Sequence, residues 1–163
     1  MDNVFLEAVS LSKSFLDAKR QPFWALDGVT LAVSEGEFLA IVGPSGCGKS
    51  TLLRLLSGLE KPEAGEVRLR GEPLLEPRRE IGFVFQRSNL MPWRTVSRNI
   101  ALPLEVAHVP LEESMAQAAS WVSLVGLDGF RDAYPGQLSG GMRQRVALAR
   151  ALIHNPRDRK SVV

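Results

Sequence analysis

The stretch Gly43-Pro44-Ser45-Gly46-Cys47-Gly48-Lys49-Ser50-Thr51 restricts what this chain can become more than any other. The apolar run Phe38-Leu39-Ala40-Ile41-Val42 before it reads as a buried strand. Leu52-Leu53-Arg54-Leu55-Leu56 after it reads as a helix that Gly58 ends. Strand, glycine-rich turn, Lys-Ser and helix in that order make a phosphate-binding loop. Its glycines fold the backbone so closely that successive N–H groups point into one concavity. The helix adds the partial positive charge of its N-terminus. Lys49 is then placed to reach the outer phosphates of a nucleotide, and the Ser50 hydroxyl to ligate Mg²⁺. A chance glycine-rich turn is the plainer account, and the flanking strand and helix weigh against it.

The bulk numbers fit a chain of this kind. With 163 residues, 45% hydrophobic and 23% charged, there is room for one domain with a subdomain and an ordinary core. Twenty basic against 18 acidic residues leave a net charge of only +2, which argues against a nucleic-acid partner. The single cysteine, Cys47, lies inside the loop, so no internal disulfide is possible and a reducing compartment fits. It reads as a small side chain filling a slot, not as a working thiol. The start, Met1-Asp2-Asn3-Val4-Phe5, lacks the basic-then-apolar pattern of a signal peptide. No apolar run approaches the roughly 18 residues of a membrane span, so any membrane connection is expected through another polypeptide.

In chain order, Val4 to Val9 reads as a strand, with a polar loop through Pro22 after Phe15. Trp24 to Val33 reads as a turn and second strand, with Val29, Leu31 and Val33 on one face. Antiparallel strands are thus expected before the loop. Glu66-Val67-Arg68-Leu69-Arg70 alternates as a half-buried strand does, and Ile81-Gly82-Phe83-Val84-Phe85 is continuous, the mark of a strand covered on both faces. Beyond Gln86 the pattern turns helical. Thr95 caps a helix through Ile100 and Leu102 until Pro103 disturbs it. Leu111, Met115, Ala118, Val122 and Val125 form an amphipathic stripe ended by Gly126, in which Met115 and Trp121 read as packing. Ser139 starts a last helix whose Met142, Val146, Ala149 and Ile153 share a face.

A second motif, Leu138-Ser139-Gly140-Gly141-Met142-Arg143-Gln144-Arg145, sets two glycines after a Ser cap at a helix start. Backbone donors there stay uncovered, which makes a second phosphate-binding surface. With the first loop and the Gln86 loop between them, the chain resembles the ATPase subunit of an ATP-binding cassette (ABC) transporter over residues 4 to about 156. The resemblance implies an α/β fold. Its P-loop NTPase core is a parallel sheet with an antiparallel β subdomain; a helical subdomain is added, and the C-terminal part of the core is missing. It divides the chain into a partial nucleotide-binding core (1–86), a helical subdomain with the signature helix (87–156) and a non-family tail (157–163).

The same resemblance assigns roles. Residues 43 to 51 hold ATP with Mg²⁺, and Lys49 serves catalysis. Gln86 matches the glutamine that touches Mg²⁺ or the attacking water and couples to the membrane partner. Ser139, Gly140 and Gly141 belong to the signature that closes over the γ-phosphate held by the opposite subunit. Met142 replaces the commoner glutamine there, with little loss expected. Phe15 takes the place of the aromatic that stacks on adenine, with Trp24 as its rival. The implied partners are transmembrane permease subunits, a second copy or a paired ATPase subunit, and indirectly a solute-binding protein; nucleic acid is not among them. The implied location is the cytoplasmic face of the cell membrane, reached through the permease. The segment Asn89-Leu90-Met91-Pro92-Trp93-Arg94-Thr95-Val96 most resembles importers of the nitrate, sulfonate and taurine group.

The family pattern breaks after His154-Asn155-Pro156. Family members continue with a hydrophobic strand ending Asp-Glu (Walker B), a dimer-contact loop and a switch histidine. Here Arg157-Asp158-Arg159-Lys160-Ser161-Val162-Val163 follows, and Asp158 is neither preceded by an apolar run nor followed by Glu. The two histidines, His108 and His154, do not match the switch position and read as surface residues. The expectation is therefore a truncated product that aggregates or is partly unfolded when isolated, and that hydrolyses ATP at background rates. The competing readings are a soluble ABC-type ATPase of the translation or DNA-repair class and a nonfunctional fragment. The interval from Gln86 to Ser139 leaves no room for the long coiled coil of the DNA-repair class.

Overall fold

The computed structural model describes residues 4–154. These fall into two compact units, one ending at Ile81 and the other beginning at Gly82.

The first unit is built on a long hairpin. β1 (Val4–Leu16) and β2 (Pro22–Ser34) pair antiparallel, and Asp17 closes the turn between them. The Asp17 carboxylate accepts the amides of Lys19 and Gln21, each at 2.8 Å, so a short polar loop needs no glycine at its centre. β3 (Ala64–Leu69) pairs with the other edge of β1, and β4 (Glu72–Pro73) follows, giving the sheet order β2-β1-β3-β4. Every pairing is antiparallel. Phe5, Ala8, Leu11, Leu26, Val67 and Leu69 bury one face of this sheet. α1 (Lys49–Leu56) lays Leu52, Leu55 and Leu56 on the same cluster, the spacing that one helix face allows.

The second unit is helical. α2 (Val96–Val106), α3 (Leu111–Leu124) and α4 (Gly140–Leu152) enclose Ile100, Leu104, Ala118, Val122, Val146, Ala149 and Ile153. Met115, Trp121 and Met142 pack against this cluster as the helical spacing predicts. Asn99 is fully buried inside it and completely used. Its Nδ2 donates to the carbonyls of Met91, Arg94 and Thr95, and its Oδ1 accepts the Met91 amide. One side chain thereby fixes the whole approach to α2.

Three expectations are corrected. The strands expected at 38–42 and 81–85 are not formed among the described residues. Both segments run without a ladder, apart from a single bridge at Ile81, and Phe38 (69% exposed) and Val42 (91%) face solvent. A strand exists only where a neighbour takes up its N–H and C=O groups, and beyond the Ile81 bridge no described segment does so here. The second correction is at Pro103, which lies inside α2 and does not end it. Ile100 and Leu104 are buried around it, and burying side chains of that size, at about 1.5–3 kcal/mol each, offsets the roughly 3 kcal/mol of an interior proline. Third, His108 is exposed as expected, but both ring nitrogens of His154 are shielded from solvent, because α4 carries its C-terminal turn into the core at Ile153.

Candidate functional site

The glycine-rich loop has the backbone its sequence demands. Gly46 and Gly48 stand at φ +83° and +91°, a left-handed conformation that side chains resist. Gly48 is also the N-cap of α1, and the cap makes no side-chain hydrogen bond. No acidic residue lies in the first turn, so the helix amides and their partial positive charge are left for something else. Lys49 folds back over the loop, where its Nζ donates to the carbonyls of Gly43 and Pro44, both at 2.7 Å. The ammonium thus sits at the mouth of the loop, and Ser45, Gly46, Cys47 and Ser50 are exposed around it. Thr51 turns half inward.

Cys47 occupies the space that Gly43 leaves open. A Cβ at position 43 would come within 2.8 Å of its sulfur, which lies 3.6 Å from the Lys49 amine. This donor set suits a phosphate chain. It also suits Mg²⁺ held mainly by phosphate oxygens and water. Ser50 would contribute its hydroxyl, and no described cluster of three His, Cys, Asp or Glu side chains competes for the ion.

The loop touches the hairpin. A Cβ on Gly48 would lie 2.3 Å from the Ala25 carbonyl oxygen, so loop and β2 are in close backbone contact. Phe23, two residues along β2, is therefore about 7 Å away along the strand. Phe23 is the cross-strand partner of Phe15, with ring centroids 6.2 Å apart. Trp24 pairs instead with Ser14 and is 61% exposed. Neighbouring residues of a strand point to opposite faces, so Phe15 and Trp24 lie on opposite sides of the hairpin. They cannot share one ligand face.

In the second unit Ser139 caps α4, accepting the Met142 amide at 3.3 Å. Gly140 and Gly141 are exposed in the first turn, and a Cβ on either would meet nothing within 4 Å. These glycines are not dictated by local packing. Gln86 presents its side chain to solvent while its carbonyl accepts from Gln144 Nε2 at 2.6 Å. Arg150 donates to the carbonyls of Ser88 and Asn89, both at 2.9 Å, and burial lowers its guanidinium below the ordinary value. Arg143 and Arg145 reach the carbonyls of Leu138 and Val125, each at 2.8 Å. The polar side of α4 therefore fastens the loops on either side of it, a role that its run of Arg and Gln does not disclose in sequence. Also missed in sequence were Lys13 and Glu63 beside Phe15, whose pairing across the sheet has no local spacing to reveal it.

Residues 26–157 match the model of a protein family described as ABC transporter. An uncharacterized ABC transporter ATP-binding protein of Methanocaldococcus jannaschii is 52% identical over 132 residues, which cover 81% of this chain and 49% of that protein. The methionine import ATP-binding protein MetN of Geobacillus kaustophilus is 52% identical over 141 residues, covering 82% of this chain and 41% of its own length. The chain thus spans less than half the length of these relatives. Among solved structures, a dimeric ATP-binding cassette in a post-hydrolysis state, bound to ADP and Pi, is similar at a TM-score of 0.85 and 37% identity. The match covers 93% of this chain and 70% of that one.

Proposed function

This chain belongs to the ABC transporter family and has the P-loop NTPase fold, and from that premise we propose that it is the ATP-binding component of an importer. The observation that carries the reading is the loop of residues 43–51, with the Lys49 ammonium at its mouth and the uncompensated amides of α1 behind it. The loop grips the β- and γ-phosphates, Ser50 reaches the Mg²⁺ that accompanies them, and Phe15 supports the base. In the whole ATPase subunit, hydrolysis of the ATP phosphoanhydride drives the cycle; the part carried by this chain is nucleotide binding.

Ser139, Gly140 and Gly141 of a second copy, or of a paired ATPase subunit, close over the same triphosphate from the opposite side. The resulting head-to-tail dimer forms with nucleotide and reopens without it. Gln86 passes that change to permease subunits, which hold the complex on the inner face of the membrane. No helix among the described residues is long and apolar enough to cross a membrane itself. A solute-binding protein delivers cargo to the permease and does not touch this chain.

Two solute classes have support. Residues 89–96 favour the nitrate, sulfonate and taurine group, whereas the methionine-import names of relatives favour methionine. Because other subunits select the solute, this difference leaves the nucleotide chemistry unchanged. A titration with a fluorescent ATP analogue, mant-ATP, tests the central role. Charge-assisted hydrogen bonds contribute about 1.5–3 kcal/mol, so Lys49→Met is expected to weaken binding by about tenfold or more. Equal affinity in the variant and the parent chain would contradict the reading.

A further inference from the structure

The β1–β3 ladder stops at the pair Ser12–Ala64, before Phe15 is reached. Beyond that point Glu63 takes over with both its backbone and its side chain. Its amide donates to the Ser12 carbonyl at 3.0 Å. Its carboxylate accepts the Ser14 amide at 3.2 Å and the Ser14 hydroxyl at 2.9 and 3.2 Å. Lys13 spans the same gap: its Nζ donates to the Lys61 carbonyl at 3.1 Å and lies 3.7 Å from Glu60 and 3.9 Å from Glu63. On the opposite edge of β1, Ser14, Phe15 and Leu16 pair regularly with Trp24, Phe23 and Pro22, but the ladder leading into them is irregular. There the β1–β2 register shifts between Leu11 and Lys13 and again between Lys13 and Ser14. An edge N–H without a rung pairs with water and leaves its strand free to bend.

We infer that Glu63 is a positioning residue for nucleotide-base recognition: its carboxylate replaces the missing rung at Ser14 and so sets the angle at which Phe15 meets the base. The inference rests on the reading of Phe15 as the base-stacking aromatic. Lys13, held by the same loop, has its ammonium 5.7 Å from the centroid of the Phe15 ring, so the ring's charged neighbour is fixed along with the ring. Glu63 lies on the loop that follows α1, whose first turn belongs to the phosphate site. One short connection therefore ties the base platform to the phosphate loop.

The test compares ligands with and without a base. Binding of mant-ATP, and its displacement by inorganic tripolyphosphate, is measured for the full chain and its variants. Stacking on an aromatic is worth enough that partial misalignment lowers affinity about fivefold. Glu63→Ala is expected to weaken mant-ATP by about that factor while tripolyphosphate stays within about twofold, and hydrogen exchange at the Ser14 amide rises. Glu63→Gln keeps an oxygen for the Ser14 amide and an NH₂ for its hydroxyl, so it stays within about twofold of the parent for both ligands. Phe15→Ala separates the two claims. If it leaves the ratio of the two affinities unchanged, the base-stacking reading fails and the Glu63 inference falls with it. If it lowers the ratio and Glu63→Ala does not, Glu63 has no positioning role and the Phe15 reading stands. An equal loss of both ligands in Glu63→Ala also overturns the inference, since it marks general loosening.

Discussion

Gly46, Gly48 and Gly65 share a left-handed backbone, at φ +83°, +91° and +79°, but their surroundings differ. A methyl group on Gly46 would meet nothing within 4 Å, whereas one on Gly48 would strike the Ala25 carbonyl at 2.3 Å. On Gly65 it would strike the carbonyls of both Val9 and Ser10, also at 2.3 Å. Gly46→Ala is therefore expected to cost only the conformational strain, about 1–2 kcal/mol. Gly48→Ala and Gly65→Ala add a backbone collision and should exceed about 3 kcal/mol each. Thermal or urea unfolding of the three variants checks the order. The two larger effects report different things: Gly48 joins the phosphate loop to β2, and Gly65 lets β3 approach β1. Position 48 was legible as glycine from its motif alone, while the collision with Ala25 depends on a contact that no motif records.

At the scale of elements, α2 shows where sequence periodicity suffices and where it does not. Thr95 as its cap and the stripe Met115, Ala118, Val122 and Val125 along α3 and its C-cap were both readable, because each is a local pattern with a local cause; Leu111, read as the start of that stripe, is instead 53% exposed at the first position of α3. The passage of α2 through Pro103 was not, because burial at Ile100 and Leu104 is decided by the helices packed around them. Asn99 is the element's other hidden determinant. Replacing it with Leu leaves the carbonyls of Met91, Arg94 and Thr95 and the Met91 amide without their partner. Asn99→Leu is expected to destabilise the helical unit by about 2–4 kcal/mol and to raise hydrogen exchange around residues 91–95. A variant as stable as the parent would show that water replaces those bonds at no cost. The runs at 38–42 and 81–85 have the composition of buried strands, but composition supplies only one side of a ladder. The antiparallel pairs were legible because β1, β2 and β3 carry their own partners within the described residues.

At the scale of the whole molecule, each unit contributes one amide-rich turn: the loop before α1 and the first turn of α4. Both are helix starts with glycines and no acidic residue in the first turn, an arrangement that suits an anion. The proposed function needs these turns to meet across two copies. The chain offers a direct way to see this, because Cys47 is its only cysteine and is exposed in the loop before α1. Ser139→Cys places a second thiol at the other turn, where Ser139 is exposed too. Mild oxidation of that variant, followed by a non-reducing gel, is predicted to give a disulfide-linked dimer with ATP and none without it. The parent chain, with Cys47 alone, is predicted to stay uncrosslinked. Crosslinking that ignores ATP, or none at all in its presence, would contradict a triphosphate gripped between two copies.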